Sequence, residues 1–100
     1  MITPVIQDVL AEMDGDPFNI NDGRCEEFMQ RVVRRVPGAE ERCSAMMVQD
    51  GMHPVFGGHV WVYFDGRHYD AETPDGVRDW RALPFMDRKI QTHLATTKPL

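Results

Sequence analysis

The stretch "GGHVWVYFDGRHYDAE", residues 57–72, carries apolar runs on both sides of an Asp65-Gly66 dipeptide. That dipeptide is a strong signal for a two-residue hairpin turn, so residues 59–64 and 67–72 read as paired strands. With a loop of that length, Phe64 faces Arg67, Tyr63 faces His68, Val62 faces Tyr69 and Trp61 faces Asp70. Side chains alternate between the two faces of a strand. His59, Trp61, Tyr63, His68, Asp70 and Glu72 therefore share one face, and Val60, Val62, Phe64, Tyr69 and Ala71 the other. His59 then stands diagonal to Asp70 and directly opposite Glu72, within reach of either for an orienting hydrogen bond. The alternation alone leaves both acids open.

Upstream of the hairpin the period changes. Thr3-Pro4 is a helix start, with a hydroxyl to cap and a proline at the first helical position. Val5, Ile6, Val9, Leu10 and Met13 follow at helical spacing. "DGDPFNINDG", residues 14–23, is rich in turn formers and breaks that helix. A second helix is expected over about 22–36. Its apolar stripe is Cys25, Phe28, Met29, Val32, Val33 and Val36, and Pro37-Gly38 stops it. "SAMMVQDG", residues 44–51, reads as a short buried strand, and "MHPVFGG" as a loop whose Gly57-Gly58 frees the backbone before His59. Beyond "TPDG" the pattern gives one more short element, with a frayed end. The expectation is an α+β domain over residues 1–100, N-terminal helices packed on a short antiparallel sheet.

Composition narrows the function classes. The chain has 100 residues, 42% hydrophobic and 27% charged, with a net charge of −5. These are values of an ordinary globular domain. The acidic balance argues against nucleic acid or an anionic membrane surface as partner. Arg31, Arg34 and Arg35 share a segment with Glu26 and Glu27 and read as a salt-bridged, solvated face. No run approaches the ~18 apolar residues of a membrane span, and no basic-then-apolar leader opens the chain. A cytoplasmic location is expected. Cys25 and Cys43 are too few for a disulfide scaffold, and no C-x-x-C or H-x-x-x-H pair suggests zinc. No cofactor is implied.

The partner that suits His59 is Cys25, in the first turn of the second helix. A thiol there feels the positive end of the helix dipole and unpaired backbone N–H groups, which lower its pKa and favour the nucleophilic thiolate. The same N–H groups can hold an oxyanion developing on an acyl substrate. A histidine beside the thiol completes the pair, and a carboxylate fixes its tautomer.

In these residues the chain resembles the transglutaminase-like branch of the papain-like cysteine enzymes. Members place a nucleophilic Cys at the start of a helix, a His at the start of a later strand and an Asp on the next strand. "NDGRCEEFMQRVV" matches the Cys helix, and "GGHVWVYFDGRHYDAETPDGV" the His strand, hairpin and Asp strand, including His-x-Trp. The resemblance spans residues 19–77 and implies Cys25, His59 and Asp70 as a triad acting on a peptide or protein amide. Relatives often carry a Trp or Gln before the Cys for the oxyanion hole. Here Asn19 and Asn21 stand in that region.

Each feature also has a plainer reading. Cys25 can be a small core residue, Asp70 a strand-end acid satisfying turn N–H groups, and Glu72 a solvated acid. Cys43 reads as structural, and His53, His68 and His93 as surface residues. Trp61, Tyr63 and Trp80 either line a cleft beside His59 or fill the core. Two other functions compete with the enzyme. One is a non-catalytic binding or regulatory module of the same fold, such as a phage or mobile element encodes. The other is a metal domain using Cys25, His59 and His68.

Overall fold

The computed structural model describes residues 2–44 and 59–96 of the chain. In order these form α1 (Thr3–Met13), α2 (Pro17–Asn21), α3 (Cys25–Arg35), β1 (Glu40–Cys43), β2 (Val60–Phe64), β3 (Arg67–Tyr69) and α4 (Pro84–Thr96). A single 3-10 turn, Trp80–Ala82, precedes α4. The three strands make one antiparallel sheet in the order β1-β2-β3. This is a small α+β fold.

The hairpin register is the one read from the turn: Phe64 pairs with Arg67, Tyr63 with His68 and Val62 with Tyr69. Asp65 and Gly66 both take positive φ, 50° and 80°, as the favoured two-residue turn requires. The ladder ends there. Trp61 does not pair with Asp70, nor His59 with Glu72, because the chain turns after Tyr69 and the Thr73 amide closes on the Asp70 carbonyl at 3.0 Å.

Alternation sorts the core into two layers. Val62, Tyr69 and Ala71 pack with Ile6, Val9, Met13, Ile20, Phe28, Met29 and Val32 from the N-terminal helices. Trp61, on the opposite face, packs with Leu83 and Met86 beside Val77, Trp80 and Phe85. The sheet is therefore covered on both sides. α4, 13 residues long, is the element that the sequence reading underestimated. Its sequence carries no strong apolar stripe.

Three further expectations change. Thr3 does not cap α1. Ile2 holds the N-cap position, and the Thr3 hydroxyl donates instead to the Pro74 carbonyl at 2.9 Å. The turn-rich segment after α1 contains α2, capped by Asp16, whose carboxylate accepts from the Phe18 amide at 2.9 Å. Asp before Pro is itself a helix-start signal. The strand beside the hairpin is Glu40–Cys43, pairing Cys43 with Val60 and Arg42 with Trp61, rather than the expected strand over 44–51. Of that segment only Ser44 is described. The expected loop before His59, with Gly57-Gly58, and His53 also lie outside the described residues.

α3 starts at Cys25, three residues later than the earliest expected start, Asp22. It carries Glu26 and Glu27 in its first turn and Arg34 and Arg35 in its last, the arrangement that suits the helix dipole. Arg31 bridges Glu12 at 3.2 Å and Glu27 at 2.9 Å, and Arg35 also meets Glu12, as expected of a solvated face. Exposed pairs of this kind contribute little to stability.

Candidate active site

The start of α3, the start of β2 and the end of β3 converge at one end of the sheet. Cys25 opens the helix, His59 immediately precedes β2, and Asp70 immediately follows β3. All three side chains are buried: Cys25 is 8% exposed, His59 1% and Asp70 0%.

His59 is held on every side. Its Nε2 lies 3.0 Å from Asp70 Oδ2, and Asp70 is itself fixed because its Oδ1 accepts from the Glu72 amide at 3.0 Å. Phe85 of α4 stacks on the imidazole at 4.2 Å between ring centres, and Trp61 at 5.7 Å. The backbone of His59 is gripped by Ser44, whose amide donates to the His59 carbonyl at 2.9 Å and whose Oγ accepts from the His59 amide at 3.3 Å. Ser44 sits at the end of β1, and the sequence reading gave it no role.

With Nε2 on Asp70, Nδ1 is the ring nitrogen left. It is buried and meets no hydrogen-bond partner among the described residues, while the Cys25 thiol lies close enough to the imidazole to raise its pKa. The sulfur has further support. Antiparallel pairing points alternate amides of β2 toward alternate neighbours. His59 and Trp61 face β1, so the Val60 amide points to the β3 side, where the ladder has already ended. That amide and the amide of Glu26 lie close enough to the Cys25 sulfur to lower the thiol's pKa. The shortness of β3 thus makes the thiol's environment.

The electrostatics follow from this packing. Burial pushes the Cys25 thiol up, but the His59 imidazole, the Val60 amide and the Glu26 amide together outweigh it and hold the thiol below its ordinary value. Burial pushes His59 down, while Asp70 and Cys25 beside it outweigh that and raise it. Both shifts favour a thiolate–imidazolium pair.

The other expected residues fall elsewhere. Glu72 does not orient His59. Its carboxylate accepts from Asn21 Nδ2 at 2.8 Å and is held by both terminal nitrogens of Arg88, at 3.0 and 2.9 Å. This brace joins the turn before Cys25, the segment after Asp70 and the helix that carries Phe85. The Asn21 amide nitrogen, one of the expected oxyanion donors, is thereby committed, and its buried Oδ1 accepts from no group among the described residues. Asn19 is exposed on α2 and reaches Asp16 at 3.5 Å. In the first turn of α3 the Phe28 amide donates to the Arg24 carbonyl at 3.1 Å and the Glu26 amide acts on the sulfur, so the Cys25 N–H is the backbone candidate for an oxyanion.

His68 is not a surface residue. It is 9% exposed, and its Nδ1 accepts from the Trp61 indole at 2.9 Å. Burial and the Arg42 guanidinium hold it below its ordinary pKa despite a smaller opposing pull from Asp79. Trp61 is fully buried and stacks on Trp80 at 6.4 Å, so it is core as well as a wall of the histidine's slot. Among the described residues no group of three or more His, Cys, Asp or Glu is placed to hold a metal ion. None of the described helices is long and apolar enough to cross a membrane.

No family model, curated protein or solved structure matches this chain. What the site can do rests on its own geometry.

Proposed function

We propose that the chain is a cysteine-dependent acyl-transfer enzyme of the transglutaminase-like, papain-like kind, acting on a peptide or protein amide. The observation that carries the reading is a buried imidazole held at Nε2 by Asp70, its other ring nitrogen also buried, beside a thiol at a helix N-terminus.

Cys25 attacks as thiolate. The C–S bond forms as the carbonyl π pair moves to oxygen, and the Cys25 N–H at the start of α3 stabilises that charge. The protonated His59 gives its Nδ1 proton to the leaving nitrogen as the C–N bond breaks, leaving an acyl-thioester. Neutral His59 then takes a proton from the second nucleophile, water or an amine, and returns one to the sulfur as the thioester is cleaved. Asp70 keeps Nε2–H in place throughout. Hydrolysis, deamidation and acyl transfer share the first half of this cycle.

The test is to incubate the protein with a panel of activated acyl esters and peptide amides and look for a covalent adduct by mass spectrometry. The reading expects one acyl group on Cys25 and none in Cys25→Ala, which keeps the fold. Turnover that survives in Cys25→Ala ends the proposal.

One observation favours a second reading, a binding module of the same fold. Asn21 and Asn19 are both engaged away from the thiol, so neither gives the oxyanion site a side-chain donor. In that case Cys25 titrates as an ordinary thiol and no adduct forms.

A further inference from the structure

Beside the candidate triad, α2 and α4 enclose a cleft of about 150 Å³ lined by Phe18, Asp22, Phe85, Arg88, Lys89 and Thr92. Phe85 is shared between the two sites, since its ring also stacks on His59 at 4.2 Å. Asp22 lies three residues before Cys25 in the chain. The cleft therefore meets the imidazole of the candidate triad across the Phe85 ring.

Its walls have a definite chemistry. Phe18 is 46% exposed, the one large hydrophobic residue left open among those described. The Arg88 guanidinium lies 4.6 Å over the Phe18 ring and 5.9 Å from that of Phe85, and the Lys89 ammonium lies 5.3 Å over Phe85. The site is thus two phenyl rings with two cations laid across them. An acidic occupant is a poor match, because Arg88 is already met by Glu72 in two hydrogen bonds and Asp22 adds a negative charge to the lining. An aromatic ring is a good match: its electron-rich face complements the cations, and its edge or face packs on the phenyl walls. The size agrees, for a cavity of about 150 Å³ takes a benzene-sized group.

We infer that this cleft is a specificity subsite which takes an aromatic side chain of the peptide substrate, next to the acyl group that Cys25 attacks. The inference rests on the cysteine-enzyme reading above and adds the substrate class.

The experiment uses a set of dipeptidyl chloromethyl ketones, which alkylate a thiolate with loss of chloride. Phenylalanine, glutamate or alanine is placed at either residue before the reactive carbon. The rate at Cys25 is read by mass spectrometry on the whole chain, with iodoacetamide as a probe that has no side chain. Burying one ring in an apolar slot corresponds to about a tenfold to hundredfold gain, so the best phenylalanine probe is expected to outrun its alanine counterpart by at least about tenfold. In Phe18→Ala that ratio falls toward one, in Phe18→Leu it is intermediate, and Phe18→Tyr restores it. Equal phenylalanine and alanine rates, a fastest glutamate probe, or a phenylalanine preference that survives Phe18→Ala each overturn the subsite. The iodoacetamide rate separates the two failures. Fast alkylation of Cys25 below the ordinary thiol range with no aromatic preference sinks the subsite alone, and slow alkylation there sinks both readings.

Discussion

Asp70 holds His59 Nε2 at 3.0 Å through one carboxylate oxygen and the Glu72 amide at 3.0 Å through the other. Both acceptor positions of a fully buried carboxylate are therefore used to fix one imidazole and the turn that follows it. The hairpin supplies the histidine just before its first strand and the orienting acid just after its second. Their shared face follows from the register that Asp65-Gly66 sets.

Replacing Asp70 separates its two roles. Asp70→Asn keeps the volume but removes the charge that raises the His59 pKa. An opposite charge at this range shifts a pKa by about 1–3 units, so alkylation of Cys25 at mildly acidic pH is expected to slow by about tenfold or more. Asp70→Ala strands the buried His59 Nε2–H, at about 1–3 kcal/mol, and also the part-buried Glu72 N–H. Urea unfolding measures the second effect. An unchanged alkylation rate in Asp70→Asn contradicts the orienting role.

The two buried histidines are expected to titrate in opposite directions from the ordinary value of about 6.5. His59, raised by Asp70 and Cys25 against the pull of burial, stays protonated to higher pH. Its contribution to stability is complete below about 6.5 and is lost as the pH rises through its folded value. His68, lowered by burial and Arg42, stays neutral to lower pH. It costs stability as the pH falls from about 6.5 through its folded value, where protonation also removes the acceptor for the Trp61 indole. Imidazole proton shifts followed by NMR, assigned with His59→Asn and His68→Asn, check the order. Midpoints in the reverse order contradict it.

Gly76 is expected to tolerate no side chain. It has a φ of +78°, and an added Cβ lies 2.6 Å from the Tyr69 ring, immediately before Asp70 in the chain. Backbone strain and overpacking together put the loss for Gly76→Ala at about 2–4 kcal/mol, measured by denaturant unfolding. A loss of less than about 0.5 kcal/mol, typical of an inert surface change, contradicts the packing described.

What could be read in the sequence was what local chemistry decides. Asp65-Gly66 specifies its turn whatever surrounds it, so the hairpin register and both of its faces were legible. The apolar stripe of α3 was equally plain, and with it the position of Cys25. The choice between Asp70 and Glu72 was not, because it depends on β3 stopping at Tyr69. An unbroken ladder sets Glu72 opposite His59, whereas the turn closed by Thr73 sends Glu72 to Asn21 and Arg88 instead. β1 is not legible in the sequence because Glu40, Glu41 and Arg42 have no apolar alternation, and pairing with β2 makes them a strand. Ser44 and Phe85 become site residues only through tertiary contact, and no short-range signal marks either. α2 did carry a signal, Asp16 before Pro17, obscured by the turn formers around it.

The central claim is that Cys25 and His59 form a thiolate–imidazolium pair, and the pH dependence of alkylation tests it most directly. Rates at Cys25 and Cys43 are measured separately on the native protein by mass spectrometry, with an ordinary thiol expected to titrate near about 8.5. The account expects a Cys25 midpoint well below that value, carried back toward it in His59→Ala, with Cys43 the same in both proteins. A Cys25 midpoint near that of an ordinary thiol, or one that His59→Ala leaves in place, contradicts the pair and the chemistry built on it.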